Sequence, residues 1–567
     1  MDRLSRITAA LYDIPDRIVY TVFALVMLLK GGYYGYLYNP VLDDFIQYHT
    51  YTLYGDPFAD VITKMGLLSG RPLAAIFDIY FWSRFWDCMW LANLIITALF
   101  TLSGILIYRI FSRHFGVTPV FLFIYGLLPV TSEAVNWLSA SSRIVVPMCF
   151  LGAALNLLQF GFDEKDMPKK AAGYALGTLL LFASMAFYEQ IAIVAFILGC
   201  TLLIANKKRV VFWLVVVLPS AALACFYLLG DRASIYTGRM NIIDFSAPAD
   251  ELSRHLSAAF KKIFYLIFEL NRDTALYDLE KGVNIIINDK SVLFAVLVLL
   301  AAVAVFFVTF FHAAKEKRTG GDKRRNYWVV LLAFILIFLP IFMFAFLQNP
   351  WISMRNVFPS VLGMALLSDL VFKWLLYDKY VRAAAISALC VCFLIANTAE
   401  LGDYLLVGRI DRTIAENTWE TLSRDAESES IDTVVVLNTR SAYVDTAVKY
   451  NEHINNITSS DWAYKGALYA VSDSLDAPDI YPLHEGPILK MYPDFDVDEV
   501  DAYYYMDDDF RLHRLEAVAY NENFSLYDGD VLYAEVLRWN YQDPSISLIN
   551  EDEAPRTFSY YSGFEVK

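Results

Sequence analysis

SVLFAVLVLLAAVAVFFVTFFH, residues 291–312, contains no Asp, Glu, Lys or Arg and is followed within a few residues by the basic run Lys315 to Arg325. A helix rises about 1.5 Å per residue, so about 20 such residues cross roughly 30 Å of hydrocarbon. Similar stretches recur through the first 400 residues, near 18–38, 89–110, 117–131, 143–160, 171–187, 190–206, 210–229, 327–347, 357–376 and 383–402. Together they predict about eleven spans. The segment 72–86 (PLAAIFDIYFWSRFW) is shorter, aromatic and charged at Asp78 and Arg84, and reads as an interfacial helix. The whole chain of 567 residues is 57% apolar and only 19% charged, with mean hydropathy +0.42. Soluble chains seldom carry that balance.

Charge divides the chain in two. Residues 1–408 hold 34 basic and 29 acidic residues; residues 409–567 hold 12 and 32. The expected domains are therefore a transmembrane 1–408 and an acidic, soluble 409–567. An acidic domain excludes nucleic acid as a partner, since phosphates call for Lys and Arg. Within it, IDTVVVLNT (431–439) reads as a buried strand, SAYVDTAVKYNEHIN (441–455) as the helix after it, and DVLYAEVLRW (530–539) as another strand, which makes a small α/β domain. Asn456-Ile-Thr and Asn523-Phe-Ser match the glycosylation pattern. The six cysteines lie in or beside apolar segments and the acidic domain has none, so neither a disulfide framework nor a metal site is expected.

Arg109/Arg113, Lys165/Lys169/Lys170, Lys207/Lys208/Arg209, the run Lys315 to Arg325 and Lys379/Arg382 fall on one side of the predicted spans. By the positive-inside rule that side is cytoplasmic, with the N-terminus, and the acidic domain is extracytoplasmic. The first apolar run lacks a small-residue cleavage site before it and reads as a retained span. In the loop 230–290, Leu252, Leu256, Phe260, Ile263, Ile267 and Leu270 recur at helical spacing, as an amphipathic helix on the outer interface would require.

With that topology the unusual polar residues gather at the outer face. Asp43 and Asp44 follow the first span, with His49 close behind. Gly70-Arg71-Pro72-Leu73 closes the same loop. PVTSEAVNWLSASSR (129–143) carries Glu133 and Arg143, Tyr188-Glu189-Gln190 sits at a turn between spans, and Met354-Arg355-Asn356 opens the tenth. Charges at membrane depth are costly and face a cavity or a partner. Each motif alone also has a structural explanation. Asp43-Asp44 suits a helix start, the arginines suit lipid headgroups, Glu133 and Glu189 suit ion pairs with them, and His49 suits an interface. Jointly they offer a carboxylate base beside a second carboxylate, and arginines able to hold a phosphate that stays in the bilayer.

At these residues the sequence resembles the GT-C glycosyltransferases, and most nearly the tetratricopeptide-containing protein O-mannosyltransferases and related bacterial multispan enzymes. Asp43-Asp44 matches their acidic pair, GRPL (70–73) their YRPL-like motif, and PVTSEAVNWLSASSR their HPVHTEAV segment with its later arginine. YEQIAIV (188–194) is similar to their KEQGITV-like run and MRNVFPSVLG (354–363) to their ERYLYLPSxG-like motif. The matches keep the family's order across most of residues 40–365. Tyr188 stands where the family has a base and Met354 where it has an acid, and no tetratricopeptide repeats follow.

The resemblance implies a GT-C-like all-α membrane protein that transfers a monosaccharide, with inversion, from a polyprenyl-phosphate donor to a hydroxyl of a glycan or protein. Asp43 would be the general base, supported by Asp44, and Arg71, Arg143 and Arg355 would hold the leaving phosphate. His49, Glu133, Tyr188, Glu189 and Gln190 would position sugar or acceptor. Phosphate is a good leaving group, so no metal or cofactor is required. The competing class is a flippase or transporter of lipid-linked glycans, which would place charges on both halves of a path and show repeat symmetry.

Overall fold

The computed structural model describes residues 15–64, 71–207, 213, 216–222, 243, 248–316, 323–347, 352–426, 430–444, 452, 454–483, 500–514, 517–518, 537–540 and 545–548. It divides into two compact units. The first comprises Met1–Tyr38, Asp56–Gly402 and Thr446–Glu452; the second comprises Asn39–Gly55, Asp403–Asp445 and His453–Lys567.

The first unit is a helical, multi-pass membrane bundle. Among the described residues seven helices are long and apolar enough to cross a membrane, counting Lys379–Ala426, which runs on into the second unit. The number is eight if Pro119–Leu127 and Pro129–Asn136, bent by 58°, form one broken span. Of the segments read as spans from sequence, 171–187 falls on the helix Met167–Met185 and 190–206 on the helix Glu189–Ala205, both outside that count. Segment 210–229 lies largely outside the described residues.

Burial separates inner from outer helices. The most apolar stretch of Leu138–Asp163 is 72% buried, whereas that of Val292–Ala314 is 28% buried and exposes Val292, Leu293, Leu299, Leu300 and Phe307. Apolar surface of that extent belongs in lipid. Small residues let helices close on one another, as membrane packing requires. A Cβ on Gly173 would meet the backbone of Gly161 at 3.1 Å, and one on Gly363 would lie 2.4 Å from the Ala333 carbonyl oxygen. The expected interfacial segment 72–86 forms the helix Pro72–Tyr80, with proline at its first position, followed by a 3₁₀ stretch Trp82–Cys88. The amphipathic pattern after residue 250 forms Ala249–Phe264, a π-helical turn Tyr265–Glu269 and Leu270–Asn288.

The second unit carries a small α/β sheet. Strands β1 (Thr433–Leu437), β2 (Asp479–Leu483), β3 (Ala502–Met506) and β4 (Leu512–Arg514) lie in the order β2-β1-β3-β4. β1 is parallel to both neighbours, and β4 is antiparallel to β3. A central parallel strand is covered on both faces, and Val434, Val435 and Val436 are accordingly buried. The helix Asp461–Ser472 connects β1 to β2 and buries Ala463, Tyr464, Ala467 and Leu468. The Tyr464 and Thr418 hydroxyls bond at 2.6 Å, and the Tyr504 hydroxyl donates to Asp425 Oδ2 at 2.8 Å, so the last turns of Lys379–Ala426 belong to this core. Three further strands, β5 (Ala517–Val518), β6 (Leu537–Asn540) and β7 (Ser545–Leu548), form a separate sheet in the order β5-β7-β6. β6 covers the end of the strand expected over 530–539.

The helix expected over 441–455 is absent among the described residues of that stretch. Residues 441, 443 and 444 are bends, and Ala442 pairs with Asn455 in an isolated antiparallel bridge. The cause is local: Asn456 Oδ1 accepts the Tyr443 amide at 3.0 Å and the Asn456 amide donates to Ser441 O at 2.9 Å, which closes a loop where a helix would open one. Asn456 is fully buried, so its side chain serves this packing and is closed to modification in the folded protein. Asn523 lies outside the described residues.

Candidate functional site

In the first unit, Arg71 precedes the helix Pro72–Tyr80, and Glu189 opens the helix Glu189–Ala205. A carboxylate is favoured at a helix N-terminus, and this one also takes two bonds from one guanidinium. Arg71 Nε donates to Glu189 Oε2 at 3.2 Å and a terminal nitrogen to Oε1 at 2.8 Å. The same guanidinium lies 4.5 Å from the centre of the Tyr188 ring. Burial alone would raise the Glu189 carboxyl; Arg71 outweighs it and holds the group below the usual carboxylate range. Burial raises the Tyr188 phenol, against the pull of the Arg71 charge.

Arg143 faces a different acid. Its Nε and a terminal nitrogen donate to Asp78 Oδ2 at 3.1 and 2.9 Å, and the Ser142 hydroxyl donates to Asp78 Oδ1 at 3.0 Å. Asp78 is fully buried. Burial raises its carboxyl, and Arg143 and Ser142 draw it back only in part. The Arg71 charge also reaches Asp78, and that of Arg143 reaches Glu189, so the two ion pairs share one electrostatic neighbourhood.

Arg355 completes the set. It pairs with Glu452 at 2.8 Å and lies 4.7 Å from the centre of the Trp137 ring. The Glu452 amide donates to Glu133 Oε2 at 3.3 Å, which ties buried Glu133 to the same corner. Ser353 and Asn356 form a capping box at the start of the 3₁₀ stretch Met354–Ser360. Asn356 Nδ2 then donates to the Tyr188 hydroxyl at 2.9 Å and to Gln190 Oε1 at 3.3 Å. Gln190 Nε2 donates to the carbonyls of Asn356 at 3.0 Å and Pro340 at 3.1 Å, the latter in the last turn of its helix, where carbonyls lack intrahelical partners. The structure therefore brings Arg71, Arg143, Arg355, Glu133, Tyr188, Glu189 and Gln190 into one polar assembly. Sequence reasoning missed four members as site residues: Asp78, Trp137, Asn356 and Glu452. A single acid inside the apolar run PLAAIFDIY was a usable signal for the first.

Asp43, Asp44 and His49 belong to the second unit. Asp43 and Asp44 stand in the first turn of a short helix that continues as a π-helical turn, Ile46–Thr50. Asp44 is fully buried and its Oδ2 accepts the Val41 amide at 3.2 Å; Asp43 is only half-buried. His49 Nε2 lies 3.3 Å from Asp473 Oδ1. The Thr50 hydroxyl donates to Gly466 O at 2.9 Å, and a Cβ on Gly466 would lie 2.4 Å from Ile46 Cγ1. The turn is thus packed directly on the helix Asp461–Ser472. Among the described residues no three His, Cys, Asp or Glu side chains are placed to hold a metal ion.

No family model matches the chain, and no curated protein matches it either. Among solved structures it is similar to ArnT from Cupriavidus metallidurans in the apo state, with 12% identity over 79% of this chain and 84% of that one, at a TM-score of 0.34. The same protein bound to undecaprenyl phosphate gives 11% identity over 82% and 85%, again at 0.34.

Proposed function

We propose that the chain is an integral-membrane glycosyltransferase that moves a monosaccharide from a polyprenyl-phosphate donor to a hydroxyl of a cell-surface glycan or protein. The observation that carries this reading is the assembly around Arg71, Arg143 and Arg355. Four motifs read from the sequence as parts of one site meet there through named hydrogen bonds and ion pairs. Guanidinium groups backed by carboxylates and aromatic rings suit a phosphate whose charge grows as it leaves.

The chemistry is a single displacement. The Asp43 carboxylate takes the proton from the acceptor hydroxyl as its oxygen attacks the anomeric carbon from the face opposite the phosphate. The bond from that carbon to the phosphate oxygen breaks, and its electron pair leaves with polyprenyl phosphate. The product carries the sugar with inverted configuration. The arginines balance the departing charge, and the step uses neither metal nor cofactor. Asp43 is the better-suited base because it is half-buried, whereas Asp44 is enclosed. Glu133, Tyr188, Glu189 and Gln190 hold the arginines and the sugar. The reaction takes place on the extracytoplasmic face.

Membranes containing the protein should consume one member of a panel of labelled polyprenyl-phosphate sugars. Asp43→Asn keeps size and much of the hydrogen bonding but removes the proton acceptor. Turnover should fall by about 10²–10⁴-fold, with insertion and thermal stability close to wild type. Normal transfer by an Asp43→Asn, Asp44→Asn double variant would overturn the reading and favour a transporter of lipid-linked glycans.

A further inference from the structure

Leu42 is the residue immediately before the acidic pair, and its backbone is strained. Its φ of 42° and ψ of −114° lie in a region that L side chains avoid and glycine enters freely. The Asp44 amide donates to Val41 O at 2.9 Å, so Leu42 is the first central residue of a tight turn with the geometry of type II′. Its side chain is buried. Strain of this kind persists only where the surroundings over-determine it, and it collects at working sites.

The second observation is what holds the turn. Asp411, fully buried, accepts the Leu42 amide on Oδ2 at 3.2 Å. On Oδ1 it accepts Asn456 Nδ2 at 2.8 Å and the Ile457 amide at 2.9 Å. Three donors from two distant stretches of chain thus converge on one carboxylate, and all of them lie in the second unit. A carboxylate is the side chain for this position because it only accepts.

We propose that Asp411 is a positioning residue: it holds Leu42 in its strained conformation and so aims the Asp43 carboxylate, and through Asn456 and Ile457 it makes that aim depend on the fold of the acidic domain. The proposal rests on the reading of Asp43 as the base. Asp411 touches neither donor nor acceptor; it acts through the turn.

The test uses the full chain in lipid nanodiscs. In Asp411→Asn one acceptor oxygen becomes an N–H donor, so one of the three donors loses its partner. Amide hydrogen exchange over residues 39–45 should accelerate. Turnover of the lipid-phosphate sugar should fall by about 10²-fold, the scale of a misplaced catalytic group, while KM for that donor stays unchanged. Leu42→Gly added to Asp411→Asn should restore much of kcat, because glycine takes this φ without strain. A residue that served only as structural filling would not be rescued in that way.

Unchanged exchange over 39–45 in Asp411→Asn overturns the proposal. So does accelerated exchange with unchanged kcat in a protein that Asp43→Asn inactivates. If Asp411→Asn fails to insert, Leu42→Ile reads the same strain, since a β-branched residue is harder to hold at positive φ. Turnover should then fall, and unchanged turnover overturns the proposal. Normal turnover by Asp43→Asn instead defeats the catalytic reading, whatever the exchange at 39–45, so the two failures are distinguishable.

Discussion

Glu189 shows how a single side chain ties acidity to stability. Burial and Arg71 act on its carboxyl in opposite directions, and Arg71 prevails. A carboxylate whose folded pKa is depressed contributes stability above its unfolded value, about 4.3 for Glu, and loses it as pH falls through the folded value. Buried Asp78 works the other way, since burial raises it and acid relieves the cost of its charge. Comparing the wild type with Glu189→Gln isolates the first effect. The wild type's advantage in thermal midpoint should be constant from neutral pH down to about pH 5 and shrink below about pH 4. An advantage independent of pH would show that the Arg71 pair contributes nothing as an ion pair. At this scale the sequence was partly legible. Arg71, Arg143 and Arg355 stand out as charges beside apolar runs. Of their partners, Glu189 stands out in the same way and Asp78 is a lone acid in an apolar run, but Glu452 does not, because it lies far along the chain from Arg355 among many other acids. Asp411 lies in a helix where acids are common, and nothing local distinguishes it.

Among the elements, the apolar helices were readable because lipid imposes a length and a composition that the sequence must meet. Their contacts were not, since these depend on small residues whose partners lie far along the chain. Gly363 belongs to Val361–Leu375, and a Cβ there would lie 2.4 Å from Ala333 O and 2.6 Å from Ile337 N, both backbone atoms of Lys323–Phe342. Neither atom can move without moving the helix. Gly363→Ala should therefore cost about 1–3 kcal/mol, as overpacking does, and lower the melting temperature in detergent. An unchanged melting temperature would mean that these helices do not pack so closely. The described residues of 441–455 do not match the helix expected there, for a different reason. The residue types suit a helix, but Asn456 and the Ala442–Asn455 bridge take up the backbone groups of Ser441, Ala442 and Tyr443.

For the whole molecule, composition separated an apolar part from an acidic part, with a boundary near Gly408. Contacts draw a more interleaved division. Asn39–Gly55 belongs with the acidic part and Thr446–Glu452 with the bundle. Charge counting could not have found either exchange, because each involves fewer than twenty residues of ordinary composition. A fragment beginning at residue 409 would thus lack the segment that packs on Gly466. The sidedness inferred from Lys and Arg can be checked directly. Asp166 and Asp476 are both exposed. Cysteines placed there, one in a basic loop and one in the acidic domain, should label from opposite sides of sealed vesicles. Labelling from one side alone would show that the span count is wrong, and the outer-face placement of the arginine assembly would fail with it.

The pairing of Arg71, Arg143 and Arg355 with Glu189, Asp78 and Glu452 has a consequence for selectivity. Membranes that contain anionic lipids present many negatively charged headgroups, and bare guanidinium groups would draw them in at long range. An arginine that carries its own counter-ion projects little net charge, so approach is no guide to occupancy. On the function proposed above, a ligand would gain a place only by exchange, displacing a carboxylate and making good what that carboxylate supplied. A lone headgroup phosphate would have little to offer in such a trade, whereas the proposed donor, with a sugar and a long chain, would bring further contacts to it. Recognition governed by exchange would also be less sensitive to ionic strength, because salt screens distant attraction far more than it does partly buried contact pairs.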